Sequence, residues 1–178
     1  VGRVDDPARR ARLMAVSADD VQRLDRLITD ISNASRLDAE LSRAEWENLD
    51  LAAMLAMLGD LYAATQDDGD DGGGDDPAPR VEVSVRGPLT VLGLEGRLTQ
   101  VFQNLIANAL SFSPPGGVVR VAARRDGAMV EITVADDGPG IPQGKEEAIF
   151  ERFYTERPVG EKFGTHSGLG LSISRQIV

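Results

Sequence analysis

Cysteine is absent from this 178-residue sequence, and aromatic residues make up only 4% of it. The lack of cysteine excludes disulfide frameworks, thiol nucleophiles and cysteine-based zinc sites. The scarcity of aromatic residues predicts a mainly aliphatic core. Neither a signal peptide nor an apolar run of about 18 residues is recognisable, so no membrane-spanning helix is predicted. The net charge of −10 would repel a phosphate backbone, which argues against a nucleic-acid partner.

The first domain, residues 1–45, is predicted to be one long helix from residue 7 to about residue 43. Asp6 can cap its start, and Pro7 suits its first turn. Apolar side chains recur at helical spacing, at Leu13, Val16, Leu24, Leu27, Ile31 and Ala34. An ordinary amphipathic helix on its own domain would give the same stripe. The length, roughly 55 Å, favours a helix that mediates dimerisation.

The second domain, residues 46–178, is predicted to be α+β. Helical spacing covers residues 49–62, and a run of Asp, Gly and Pro at 67–79 predicts a loop. Strands are predicted at 81–85 and 90–94, a helix at 96–112, and a hairpin of strands at 118–124 and 129–135. This order predicts a two-layer α/β sandwich, with helices on one face of a mixed sheet.

Two asparagines on the predicted helix 96–112 are candidate ligands. Asn104 and Asn108 are four residues apart, so both amides can point at the same spot. Amide oxygens suit a hard cation such as Mg²⁺, and amide N–H groups suit phosphate oxygens. Two polar residues on a solvated helix face are the alternative interpretation.

Two glycine-containing segments are candidate ligand loops. The first glycine segment, residues 136–140, follows a predicted strand and reads Asp-Asp-Gly-Pro-Gly. A carboxylate at a strand end can accept a hydrogen bond from an exocyclic amine, although a plain turn would have the same sequence. The second glycine segment, Gly168-Leu169-Gly170, begins a helix, where exposed N–H groups favour an anion. Taken alone, it is also typical of a turn.

An aromatic segment at residues 149–154 lies between the two glycine segments. Phe150 and Phe153 are predicted to anchor a loop, and Arg152 could contact a phosphate. The order of these four segments within 75 residues resembles the N, first glycine, F and second glycine boxes of the histidine-kinase ATPases, which have the Bergerat (GHKL) fold. Residues 21–32 of the long helix resemble the second helix of the dimerisation and phosphoacceptor hairpin. Together with residues 163–175, that helix resembles alphaproteobacterial sensor kinases of the ChvG/ExoS type.

The resemblance implies a role for each matching residue. ATP and Mg²⁺ are the implied cofactors, with Asn108 as the metal ligand and Asn104 and Arg152 acting at the phosphates. The adenine amine would be recognised by Asp136. The other residues implied to line the nucleotide are Gly138, Gly140, Ile141, Gly168, Leu169 and Gly170. Residues 142–167 would form a lid over ATP.

Three departures from the family pattern are visible. Ser111 and Thr155 stand where the family often has Lys and Arg. The family's acceptor histidine lies upstream with an acidic neighbour, and this sequence lacks that motif. Its one histidine, His166, is expected to be a lid residue. The family also continues with more helix and two strands, so the catalytic domain is expected to be incomplete at its C-terminus.

The implied activity is that of a two-component sensor histidine kinase, which transfers the ATP γ-phosphoryl group to a histidine and thence to a response regulator receiver domain. The expected partners are ATP, that receiver domain and a second copy of the chain, bound through the N-terminal helix. The expected location is cytoplasmic, with a membrane anchor only in a parent protein. A GHKL serine kinase or ATPase, and an interaction module with decayed nucleotide boxes, are the alternatives.

Overall fold

The computed structural model describes residues 45–67, 77–154 and 168–178. The predicted long helix at 7–43, residues 68–76 of the predicted loop, and residues 155–167 with His166 lie outside these ranges.

The described part begins with strand β1, Glu47–Asp50, and helix α1, Leu51–Asp67. Asp50 caps the helix, since its Oδ1 accepts hydrogen bonds from the backbone N–H groups of Ala52 (3.0 Å) and Ala53 (3.2 Å). The prediction of a helix from residue 49 was therefore wrong at its start. Leu49 belongs to a strand, where its side chain is buried.

The remaining strands and helices follow the predicted order within a few residues of the predicted bounds. They are β2 (Arg80–Arg86), β3 (Thr90–Gly93), α2 (Glu95–Phe112), β4 (Val118–Asp126), β5 (Met129–Ala135) and α3 (Gly170–Ile177). A 3₁₀ turn that was not predicted, Ala148–Phe150, lies between β5 and α3. None of the helices in the described ranges is both long and apolar enough to cross a membrane.

The strands form two sheets among the described residues. In the larger sheet β4 is central, with β2 parallel to it on one side and β5 antiparallel on the other. β1 and β3 form a separate antiparallel pair. Burial alternates along β4: Val119, Val121 and Ala123 are buried, whereas Arg120 and Arg124 are exposed. The described helices therefore cover one face of the mixed sheet, which confirms the predicted α+β sandwich.

One hydrophobic core joins the sheet to α1 and α2. Gly59 of α1 lies so close to β2 that an added Cβ would be 2.6 Å from Cγ2 of Val83. The buried side chains of α2 recur at helical spacing, at Val101, Phe102, Ile106 and Ala109. Asn104 and Asn108 are half-buried at the border of this apolar stripe. The packing of α2 therefore fixes the orientation of both asparagines.

Candidate functional site

The candidate site is built around one face of α2. Asn104, Asn108 and Phe112 follow one another at four-residue intervals, so they lie along the same face of the helix. The two glycine segments contact α2 at the two ends of this row, one at the Asn104 side chain and one at the Phe112 backbone.

The second glycine segment contacts the Asn104 end. Asn104 Nδ2 donates hydrogen bonds to the carbonyl oxygen of Gly170 (3.0 Å) and to Oγ of Ser174 (3.3 Å). Ser174 Oγ in turn donates to the same carbonyl oxygen at 2.9 Å. Because a carbonyl oxygen can only accept, these contacts fix the direction in which the Asn104 amide points. Position 170 is close to this amide, since an added Cβ would be 3.3 Å from Asn104 Cγ.

The first glycine segment contacts the Phe112 end. A Cβ added at Gly138 would be only 2.6 Å from the carbonyl oxygen of Phe112 and 2.6 Å from Oδ1 of Asp136. Glycine at this position therefore lets the segment rest directly on the last turn of α2. Asp136 is exposed, and its Oδ1 accepts a hydrogen bond from the Gly138 N–H at 2.8 Å. This bond folds the carboxylate of Asp136 over its own turn.

Asn108 lies between these two contacts. Its side chain is half-buried, and its amide makes no hydrogen bond to any residue in the described ranges. Most buried or half-buried amides find a partner in the protein or in solvent. The amide of Asn108 is thus available to a ligand, whereas that of Asn104 is already bonded to α3.

The residues that precede and follow 155–167 in the sequence contact each other through their backbones. The N–H of Phe153 donates to the carbonyl oxygen of Gly168 at 2.9 Å. Gly168 has a φ of +70°, and an added Cβ would be 2.9 Å from the backbone of both Phe153 and Tyr154. Only glycine fits here without strain, for conformational and steric reasons together. Leu169, the next residue, is buried in the fold.

The aromatic segment is anchored by one of its two phenylalanines. The guanidinium of Arg175, on α3, lies 5.3 Å from the centroid of the half-buried Phe150 ring and bonds Glu147 at 2.9 Å. Phe153 is 59% exposed, so the prediction that its ring anchors the segment was wrong. Arg152 is exposed too, as are Gly140 and Ile141 in the loop after β5.

Sequence reasoning missed two residues of this region, Ser174 and Asp137. Asp137 Oδ2 accepts from the N–H of Val118 at 3.0 Å, and its Oδ1 accepts from Arg120 Nη1 at 2.9 Å. The hydrogen bond from Arg120, and then that from Val118, lower the pKa of Asp137. The same pairing raises the pKa of Arg120. The sequence held a signal for Asp137, because it is the second residue after a predicted strand.

The region offers few charged side chains that could bind a metal ion. In the ranges that the structure describes, no three His, Cys, Asp or Glu side chains cluster as a metal site would require. A cation held here would take its oxygen ligands from an amide and from the bound substrate. Mg²⁺ commonly binds in this way, keeping waters and sharing substrate phosphates.

Comparison with known proteins gives this arrangement its family. A model for histidine kinase-, DNA gyrase B- and HSP90-like ATPases matches residues 93–178. The sensor protein ChvG of Rhizobium meliloti (strain 1021) is 46% identical over 169 residues, which are 94% of this chain and 29% of that protein. Residues 93–178 therefore form an ATPase domain of this family. The resemblance to ChvG-type sensor kinases is likewise confirmed.

Solved structures agree with the ATPase assignment. The mycobacterial sensor histidine kinase MprB has a TM-score of 0.59 and 29% identity, over 75% of this chain and 78% of that one. Full-length ShkA, crystallised with AMPPNP, has a TM-score of 0.69 and 26% identity, over 97% of this chain and 34% of that one. The ATPase family model begins at residue 93, yet Leu49, Leu55 and Leu58 belong to the same core. The ATPase domain thus packs β1 and α1 together with the matched residues.

Proposed function

We propose that this chain binds ATP with Mg²⁺ and transfers the γ-phosphoryl group to a histidine on a dimerisation hairpin, from which it passes to a response regulator. The chain spans 29% of the length of ChvG, so this activity is that of a larger assembly. Residues 46–178 would be its catalytic domain, and residues 1–45 part of its dimerisation region.

One observation carries the proposal: the two glycine segments contact α2 on either side of Asn108, whose amide bonds no residue in the described ranges. Gly170 holds Asn104 on one side, and Gly138 rests on Phe112 on the other. The space over Asn108 is therefore flanked on one side by the N-terminal turn of α3 and on the other by the Asp136 carboxylate. A nucleotide has the matching polarity, with anionic phosphates at one end and an amine-bearing base at the other.

Each residue then has a defined task. Asp136 would accept a hydrogen bond from the adenine amine, and Gly138, Gly140 and Ile141 would shape that end. The Gly168–Gly170 turn would place backbone N–H groups at the phosphates. Leu169, between the two glycines, is buried and so anchors the turn in the core.

Asn108 would supply the amide oxygen that holds Mg²⁺, and the absence of any bond from this amide to a described residue fits that role. When bound, Mg²⁺ neutralises charge on the transferred phosphoryl group. Asn104 would act nearby, with its amide direction fixed by Gly170 and Ser174. Arg152, exposed on the segment before residue 155, would approach the phosphates from the lid side.

The chemistry itself is a displacement at phosphorus. A histidine Nε2 attacks the γ-phosphorus, a new N–P bond forms, and the bond to the bridging oxygen breaks with ADP as leaving group. The protein contributes mainly positioning and charge stabilisation. The single histidine of this chain, His166, is not the proposed acceptor.

Two measurements test the proposal on the 178-residue chain. Isothermal titration with a non-hydrolysable ATP analogue and Mg²⁺ is expected to show one site per chain. With labelled ATP, the chain alone is expected to gain no acid-labile phosphate, but to label a separately added hairpin of its parent slowly, because tethering is lost. No binding at millimolar nucleotide would favour a decayed module. Label on serine would favour a serine kinase, and label on His166 would overturn the assigned roles.

A further inference from the structure

Asp137 occupies the place where the ladder between β4 and β5 would continue. Arg120 pairs with Ala135 in the antiparallel register, so two residues further along each strand Val118 would face Asp137. Strand β5 has ended at Ala135, and the N–H of Val118 donates to the side chain of Asp137 instead. A carboxylate thus replaces the missing backbone acceptor and fixes the start of the loop.

Asp136 is held from both sides as a result. On one side lies the Asp137 carboxylate, bonded to the first residue of β4. On the other lies Gly138, whose N–H donates to Asp136 and whose backbone rests on Phe112. Only one oxygen of Asp136 is engaged by these contacts. The other oxygen has no hydrogen bond with the described residues, so its direction is set by the two flanking anchors.

We propose that Asp137 is a positioning residue, which aims the free oxygen of Asp136 at the exocyclic amine of the bound base. The inference rests on the adenine role proposed above for Asp136. The hydrogen bond from Val118 holds the Asp137 side chain in place more strongly than the ion pair with Arg120 does. The side chains of that pair are 53% and 39% exposed, and exposed pairs contribute little. Val118 is buried, so its N–H would be left without a partner if the carboxylate were removed.

The test compares ATP with ITP, whose base carries a carbonyl oxygen in place of the amine. The wild-type chain is expected to bind ATP more tightly than ITP. In the ITP complex the carbonyl oxygen of the base would face the Asp136 carboxylate, and two acceptors cannot form a hydrogen bond. Asp137→Ala is expected to weaken ATP binding about fivefold to tenfold, the equivalent of one misplaced buried hydrogen bond. ITP binding should change less than about twofold, because no amine contact exists to be lost. A general loss of structure would instead weaken both nucleotides equally.

Three matched variants separate the contributions. Asp137→Asn keeps an oxygen that can accept from Val118, so the ATP-to-ITP ratio should remain close to that of the wild type. Arg120→Ala removes only the exposed partner and should also preserve the ratio. Asp136→Asn removes the proposed reader itself and should abolish the preference. Thermal denaturation of each variant verifies that it is folded before its ratio is interpreted.

The outcomes distinguish the two proposals. If Asp136→Asn keeps the preference, or the wild type has none, the adenine role fails and the positioning role fails with it. If Asp136→Asn loses the preference but Asp137→Ala keeps it, only the positioning role fails. Equal weakening of ATP and ITP by Asp137→Ala would show a structural role and would also overturn it. Should that variant not fold, Asp137→Ser, which offers a single shorter acceptor, must lower the ratio for the inference to stand.

Discussion

The two glycine segments are held against α2 by different chemistry. The first, residues 136–140, is fixed by carboxylates that accept backbone N–H groups and by a glycine resting on a carbonyl oxygen. The second, residues 168–170, is fixed by neutral contacts, in which the Asn104 amide bonds Gly170 and Ser174. Charge therefore orders the proposed adenine end, whereas the proposed phosphate end is ordered without adding negative charge beside an anion.

This difference has a physical reason. An extra carboxylate close to the phosphates of ATP would repel them at a distance where water screens poorly. An amide and a hydroxyl have no net charge, so they can fix the turn at no electrostatic cost to the ligand. At the adenine end the ligand is neutral, and the carboxylate of Asp136 is itself the proposed contact.

The largest expected effect distinguishes the two asparagines on the α2 face. Asn108→Ala is expected to lower phosphoryl transfer to a separate hairpin about 100-fold or more, because it removes the proposed metal ligand. Binding of an ATP analogue should fall less, since the base contacts remain. Stability should change by less than about 0.5 kcal/mol, because no described residue bonds this amide.

Asn104→Ala is the matched control for this variant. It removes two hydrogen bonds to α3 and is expected to lower the free energy of unfolding by about 1–2 kcal/mol. Transfer assays and urea unfolding measure both variants side by side. Equal destabilisation by Asn108→Ala would show that Asn108 is a structural residue, and the metal role would have to be abandoned.

The next effect concerns the backbone at Gly168. Gly168→Ala combines a left-handed conformation with a Cβ 2.9 Å from the backbone of Phe153 and Tyr154. The strain costs about 1–2 kcal/mol and the overlap about 1–3 kcal/mol more. Gly140→Ala is the control, since Gly140 has a similar φ of +75° but no atom within 4 Å of an added Cβ. Urea unfolding is expected to show the larger loss for Gly168→Ala, and equal losses would remove the steric argument.

The sequence predicted most of the fold because its periodicities are clear. The alternation in β2 and β4 and the apolar stripe of α2 each report which face is buried. Strand β1 was missed because Leu49 fits the apolar pattern of the following helix. The signal that separates the strand from the helix was present in Asp50, a good capping residue that accepts from the N–H groups two and three residues later.

The site was predictable only where its contacts are local. Asp136 and Gly138 are two residues apart, and their turn follows from their sequence. The bond between Asn104 and Ser174 joins residues 70 positions apart, and nothing in either local sequence indicates it. The same applies to the parallel pairing of β2 with β4, which depends on how the whole chain packs. The proposed roles of the site residues therefore came from the family resemblance, whereas the contacts that hold those residues in place came from the structure.

The smallest expected effect is a pH dependence present in one glycine segment and absent from the other. The pKa of Asp137 is lowered in the folded chain, first by the hydrogen bond from Arg120 and then by that from Val118. A carboxyl with a lowered pKa stabilises the fold at pH values above its unfolded pKa, about 4. That stabilisation is lost as the pH falls through the folded pKa, because the unfolded chain binds the proton first.

The difference in unfolding free energy between wild type and Asp137→Asn is therefore expected to shrink as the pH is lowered from 6 to below about 4. Salt near 1 M should shrink it too, because the ion pair with Arg120 is exposed. Ser174→Ala is the control from the other segment. Its contacts with Asn104 and Gly170 involve no titrating group, so its deficit should stay constant across the same range. A deficit that falls equally for both variants would mean that general acid unfolding, and not the Asp137 carboxylate, is being measured.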